Sequence, residues 1–168
     1  EDAEDVLRLM TYEDYSAGGM MTTEPIVMSA DYSVADALAS VRAREVSPAL
    51  ASQVFVCRQP LETPTGRYIG MVHYQRLLRE PPSTLLGSIV DTDTQGLNPN
   101  ASLHEVSSYL ASYNLLSVPV VDGNERLLGA VTVDDVLDHL LPDNWRVDHR
   151  DHTRTDLENL TQKVEGQV

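Results

Sequence analysis

The stretch "SVPVVDGNERLLGAVTVDDVLDHL", Ser117 to Leu140, decides how the rest of the chain is read. Two short apolar runs, "SVPVVD" (117–122) and "RLLGAVTV" (126–133), flank "DGN" at 122–124, a turn signal between two strands. The second run leads directly into "DDVLDHLL" (134–141), whose apolar residues recur at helical spacing. Upstream, "SLHEVSSYL" (102–110) puts Leu103, Val106 and Leu110 on one face of a helix. Ser102 with Glu105 three positions on predicts a capping box at its start. The unit therefore runs helix, strand, strand, helix.

The same order occurs earlier in the chain. "SVADALASV" (33–41) predicts a helix with Val34, Ala37, Leu38 and Val41 on one face and Ser33 with Asp36 as its capping pair. "QVFVC" (53–57) and "RYIGMVHY" (67–74) are strand-like, and "YQRLLRE" (74–80) is a short helix. This copy has the longer connections, around "REVSPALAS" and "RQPLETPTG"; both carry Pro, which suits surface insertion. "REPPST" (79–84) separates the copies. Neither copy alone can cover its apolar strands, so the two are expected to pack on each other. The expected division is 1–18, the end of a preceding helical segment with a flexible Gly18-Gly19 joint; 19–81 and 82–141, the two repeats; and 142–168, a polar tail with a helical patch near "DLENLTQKV".

Bulk composition narrows the partners. The 168 residues suffice for one ordinary domain or two small packed units, and the 42% apolar share supports a core built mainly of aliphatic residues. With 26 acids against 12 bases the net charge is −14, which repels a polyanion such as DNA or RNA and invites a cation. Charge for solubility is the alternative reading of the same surface. No apolar run approaches the roughly 18 residues of a membrane helix, and no basic-then-apolar leader opens the sequence. The start at Glu1, without Met, reads as an excised piece of a larger protein. Cys57 stands alone in a strand-like run, which fits a buried inert thiol in a reducing, cytoplasmic setting.

Candidate chemistry gathers at the two strand–helix junctions. Thr132 and Asp135, three apart, form a capping box on spacing alone. The same helix start also offers free amides and a positive dipole end to a phosphate. In the first copy the frame "GMVHYQR" (70–76) carries His73 and Arg76 in those places. Asp134 and Asp138 share a helix face while Asp135 points aside; two carboxylates with retained waters make a weak Mg²⁺ site. Acids near a helix start also simply favour the dipole, and both readings stand. "VDHRDHTR" (147–154) brings His149 and His152 beside Asp148 and Asp151, a minor prospect for a transition metal. His104 and His139 lie on helices among polar neighbours and are expected to face solvent. No nucleophile elbow or other reaction motif organises the Ser, His and Asp residues, so no enzyme is expected.

The duplicated unit, with Pro119-Val120-Val121-Asp122 followed by Gly129, Thr132 and Asp135, resembles the cystathionine-β-synthase (CBS) domain, which occurs in pairs. The first copy matches less well, with Val54-Phe55-Val56 in place of the Pro-containing strand. "YSAGGMMT" before the pair and "TVDDVLDHLL" at its far end are similar to the cytosolic regulatory region of MgtE-type magnesium transporters. That resemblance implies an α/β fold of two CBS repeats (a Bateman module), each a small sheet with flanking helices, related by pseudo-twofold symmetry behind a short helical front piece. It implies AMP or ATP binding at Thr132, Asp135, Gly129 and Pro119, with Asp135 accepting the ribose hydroxyls and Thr132 facing phosphate. It also implies Mg²⁺ at Asp134, Asp135 and Asp138, Asp135 and Asp138 being the favoured pair. Ribose and metal then compete for Asp135, and Arg76 in the first copy retains at most an assisting role toward phosphate.

The implied function is regulation of ion transport: a module sensing Mg²⁺, adenine nucleotide or both for an MgtE-like parent or a soluble relative. The alternative is a ligand-free dimerisation scaffold. The family joins its short helices across a homodimer, here through Leu77, Leu78, Val136, Leu137 and Leu140. Beyond "DHLLPDN" the polar tail departs from the family, which continues into a helix leading to the membrane.

Overall fold

The computed structural model describes residues 10–141. In chain order these form α1 (Ala17–Met20), β1 (Val27–Met28), α2 (Val34–Val41), β2 (Gln53–Cys57), β3 (Tyr68–His73) and α3 (Tyr74–Arg79). Then follow α4 (Leu103–Tyr113), β4 (Ser117–Val121), β5 (Leu127–Thr132) and α5 (Val133–Leu140), with 3₁₀ turns at Leu50–Ser52 and Leu86–Ser88. The described residues up to Val136 make one compact unit; a second begins at Leu137, of which 137–140, the last turn of α5, and Leu141 are described. The expected helical patch at 156–164 and the His149–His152 cluster lie outside the described residues.

Helix starts follow the predicted chemistry. Ser33 Oγ accepts from the amide of Asp36 while Asp36 takes the Ser33 amide at 2.9 Å, closing the box on α2. Ser102 and Glu105 do the same for α4, whose far end is turned by Asn114 at φ 52°. That left-handed residue stops the helix three positions beyond Leu110.

Each repeat builds one sheet. In the first the order is β1-β2-β3, with β1 parallel and β3 antiparallel to β2. In the second, β4 and β5 pair antiparallel, and Leu97 bridges Val120 in parallel where the first repeat has β1. Every residue of β2 is buried, because its two faces serve different cores. Val54 and Val56 pack with Val34, Ala37, Val72 and Leu77 of their own repeat. Phe55 and Cys57 point the other way, into a core shared with Val106, Val118, Leu127 and Val131 of the second repeat. A continuous apolar run such as "VFVC" (54–57) is what a strand covered on both faces requires; Gln53 at its start is buried with its Nε2 donating to Ser117. Burial pushes the Cys57 thiol up to about 11, as suits an inert core residue.

The repeats exchange their leading segments. Thr22 and Ala130 trade both backbone bonds, at 2.9 and 3.0 Å, so the start of the first repeat adds to the sheet of the second. Asp91 and Met71 do the reverse at 2.9 and 3.0 Å. A turn earlier, the Gly18 amide donates to Pro99 and the Gly87 amide to Ala30.

Two sequence expectations change here. Gly18 and Gly19 are not a flexible joint; they sit in α1, capped by Ser16 and packed against the chain before it. A Cβ on Gly19 would stand 2.2 Å from the Glu13 carbonyl oxygen, so glycine is there for close approach, not mobility. The "RQPLETPTG" loop is not a free surface insertion either. Thr65 is 1% exposed, donates its amide to Leu127 and accepts the Leu127 amide on Oγ1.

Candidate functional site

Two equivalent junctions, where the last strand of each repeat meets its closing helix, carry the candidate residues. In the second repeat, β5 ends at Thr132 and α5 begins. The Thr132 amide donates to Asp135 Oδ2 at 3.0 Å, the Thr132 hydroxyl to the same oxygen at 2.6 Å, and the Asp135 amide to Thr132 Oγ1 at 3.3 Å. The capping box read from the spacing is therefore present. It also holds the Asp135 carboxylate in one orientation at a half-buried position, which lowers the ordering cost of any further donor it accepts.

The other two nucleotide-site candidates lie on the neighbouring strands. Pro119 is buried in β4 opposite Ala130, and its carbonyl accepts the Leu97 amide at 2.8 Å. Having no amide of its own, it donates nothing to β5. Gly129 pairs with Val120 in β5, and a Cβ on it would stand 2.3 Å from the Thr22 carbonyl oxygen. Both residues shape the backbone behind the junction.

Asp134 and Asp138 are exposed on α5, four apart, with Asp135 between them in sequence. Among the described residues no group of three or more His, Cys, Asp or Glu gathers to hold a metal ion. His104 is exposed, and His139 is half-buried and engaged. Of the five apolar residues expected on a dimer face, Leu77 and Val136 are core, at 0% and 4% exposure. Leu78, Leu137 and Leu140 are exposed.

The first-repeat junction differs in chemistry. His73 stands at the start of α3 without a side-chain bond to the helix amides. Arg76 Nε lies 2.7 Å from Glu80 Oε1, an i,i+4 pair on the same helix. Beside them opens a cavity of about 400 Å³, lined by Met71, Val72, His73, Arg76, Ser88, Ile89, Val90 and Asp91. Ser88 and Asp91 are cleft residues that motif reading passed over. A signal for them exists: "LLGSIVD" (85–91) repeats the spacing of "SAGGMMT" (16–22), which places Asp91 where the other repeat has Thr22.

Fold and junctions together define a class: a tandem α/β module whose two halves exchange leading segments and each close on a strand–helix junction. The chain belongs to the CBS domain family, whose model matches residues 13–83 and 86–142. It is similar to the magnesium transporter MgtE of Enterococcus faecalis, 26% identical over 162 residues, which are 96% of this chain and 34% of that protein. It is 30% identical over 136 residues to MgtE of Thermus thermophilus, covering 81% of this chain and 29% of the relative. The chain thus spans about a third of the length of the curated relatives it matches. A solved cytosolic domain of the Mg²⁺ channel MgtE in complex with ATP superposes with a TM-score of 0.71 at 30% identity, over 80% of this chain and 52% of that one. The pair resembles the cytosolic region of MgtE. No helix among the described residues is long and apolar enough to cross a membrane.

Proposed function

We propose that this CBS pair is a cytoplasmic regulatory module that binds adenine nucleotide at the Thr132–Asp135 junction and reports it to an MgtE-like transport parent. The observation carrying this reading is the pre-set Asp135 carboxylate at the first turn of α5, in a chain similar to an MgtE cytosolic domain solved with ATP. Asp135 accepts ribose hydroxyls, Thr132 faces phosphate, and Pro119 and Gly129 shape the strand backbone behind them.

The test is Asp135→Asn, which keeps an oxygen acceptor and nearly the same size. Its capping role should survive with a loss of about 1 kcal/mol or less. Ribose binding should suffer more, since hydrogen bonds to a charged acceptor are about twice as strong as neutral ones. Calorimetric titration with AMP and ATP should show affinity falling roughly tenfold to a hundredfold. No binding by the wild type at millimolar nucleotide would leave Thr132 and Asp135 as a helix cap alone.

Mg²⁺ is the second ligand of the proposal, held through waters by Asp134 and Asp138 or by Asp135 and Asp138. What supports it is the acidic balance of the chain and the exposed pair on one helix face. At a hundredfold excess over its dissociation constant it should stabilise the fold by about 2.7 kcal/mol. NaCl at equal ionic strength is the control, and equal thermal midpoints in the two salts would remove the cation. The module acts as a homodimer in this proposal, with Leu78 on α3 and Leu137 and Leu140 on α5 as the exposed apolar residues. A monomer mass by light scattering at micromolar protein would end that part.

A further inference from the structure

Three arginines stand side by side where the hairpins of the two repeats meet. The register that sets Cys57 opposite Tyr68 puts Arg58 opposite Arg67, and the Arg58 amide donates to the Arg67 carbonyl at 2.8 Å. Arg67 in turn bridges Arg126 of the second repeat. Residues directly opposite across antiparallel strands lie about 4.5–5.5 Å apart at Cβ, and like charges there repel. Two of the three cations are compensated. Glu125 accepts from the Nε of Arg67 at 2.9 Å, and Asp122 from the Nε of Arg126 at 2.9 Å. Arg58 has no carboxylate partner among the described residues. A chain of net charge −14 thus holds an unneutralised guanidinium beside another cation. Arg58 and Arg67 open onto a cavity of about 230 Å³, which Tyr68 and Ile69 complete.

We propose that this cavity is an anion site, holding a compact oxyanion of the phosphate class between Arg58 and Arg67. A guanidinium presents two parallel N–H bonds that match phosphate oxygens. A tetrahedral anion offers separate oxygens to two such forks, whereas a planar carboxylate fills one. Glu125 takes the Nε of Arg67 at 2.9 Å and one terminal nitrogen at 3.3 Å, which leaves the other terminal nitrogen for the ligand. The Arg58 fork is uncommitted among the described residues. The cavity is smaller than the roughly 300–1,000 Å³ of sites for drug-sized molecules, so its occupant is small. Tyr68 contributes its ring and not its hydroxyl, which donates to the Thr94 carbonyl at 3.3 Å. The bound anion neutralises the repulsion within the arginine row. Arg67 immediately precedes β3 and His73 ends it, about 20 Å away at roughly 3.3 Å per residue. The cavity therefore lies at the other end of the strand from the helix junction.

The experiment follows backbone amide shifts of the whole chain during titration with inorganic phosphate, against NaCl at equal ionic strength. The expected result is saturable movement of the Arg58 and Arg67–Ile69 amides at millimolar phosphate, with acetate binding more weakly. Arg58→Gln and Arg67→Gln should each weaken phosphate binding about tenfold. Glu125→Gln should tighten it severalfold, by releasing Arg67 and removing a competing charge. Arg58, Arg67 and Glu125 are exposed, so none of these changes opens the core, and unchanged circular dichroism verifies each fold. Glycerol 3-phosphate separates two sources of the same group. Tighter binding than the free ion identifies a terminal phosphate as the occupant, and equal or weaker binding identifies inorganic phosphate; both fulfil the proposal. It is overturned by equal shifts in phosphate and NaCl, by shifts confined to the strand–helix junctions, or by Arg58→Gln binding phosphate as the wild type does.

Discussion

The second repeat closes on a helix whose first turn is locked by Thr132 and Asp135, whereas the first closes on His73 and Arg76, which lock nothing at that end. Yet the backbones run alike up to that point. Gly70 and Gly129 both lie under the carbonyl of a segment exchanged from the other half, Asp91 in one case and Thr22 in the other. The comparison separates two demands on a repeated unit. Packing of the two halves rests on the glycines, while the third and sixth residues after each glycine are left to set the capping. One backbone plan therefore closes on a capped helix in one half and on an uncapped one in the other.

The strongest way to break this comparison is to crowd the glycines. A Cβ on Gly70 would stand 2.1 Å from the Asp91 oxygen, and one on Gly129 2.3 Å from the Thr22 oxygen. Both contacts are to backbone that is itself bridged, so neither can yield cheaply. Gly70→Val and Gly129→Val should each cost about 3 kcal/mol in urea unfolding. A large loss in one repeat and none in the other would show that the exchange matters in only half of the molecule.

Removing the cap is the next largest effect. Thr132→Ala deletes the hydroxyl that accepts the Asp135 amide and should cost about 1 kcal/mol. His73→Ala, lacking any such bond, should fall within about 0.5 kcal/mol of the wild type. Equal losses at the two positions would refute the distinction between a locked and an unlocked helix start.

Transplanting the cap sharpens the same point in the opposite direction. The double change His73→Thr with Arg76→Asp should gain about 0.5–1 kcal/mol from a new capping box. Part of that gain is offset by the lost Arg76–Glu80 pair, worth roughly 0.3–0.5 kcal/mol on an exposed helix. Thermal unfolding would read the net change.

The smallest effect concerns pH and treats the repeats alike. Hydrogen bonds from the Ser33 hydroxyl and amide hold the Asp36 carboxyl below its ordinary range. The Ser102 amide and hydroxyl do the same for Glu105. A carboxyl whose pKa is lower folded than unfolded stabilises the protein above its unfolded value of about 4, and that contribution fades as pH falls through the folded value. Stability should therefore decline modestly below pH about 4, and Asp36→Asn or Glu105→Gln should each flatten the decline by a similar amount. A one-sided response would mean that the two long helices are not equivalent after all.

Features set by near neighbours in the chain are legible in the sequence, for a physical reason. A capping box spans four residues, a helix face eight and a hairpin turn three, so Ser33–Asp36, Ser102–Glu105, Thr132–Asp135 and the Asp122–Asn124 turn are set by interactions within one or two turns of chain. The strand at 53–57 matches for a similar reason: the apolar run 54–57 has no solvent face to offer. What lay out of reach was contact between residues far apart in the chain. Gly18 and Gly19 look like a hinge until Glu13, Tyr12 and Pro99 are placed around them. The Thr-containing loop at 58–66 looks like an insertion until Thr65 is bonded to Leu127. Leu77 and Val136 look available for a partner until the core closes over them. The sequence by itself determined the elements, their order and the chemistry at each helix start, because those depend on neighbours in the chain. Only the tertiary structure decided which half receives each leading segment. That choice rests on pairing between residues far apart in sequence, such as Asp91 with Met71 and Thr22 with Ala130, for which no local pattern carries a signal.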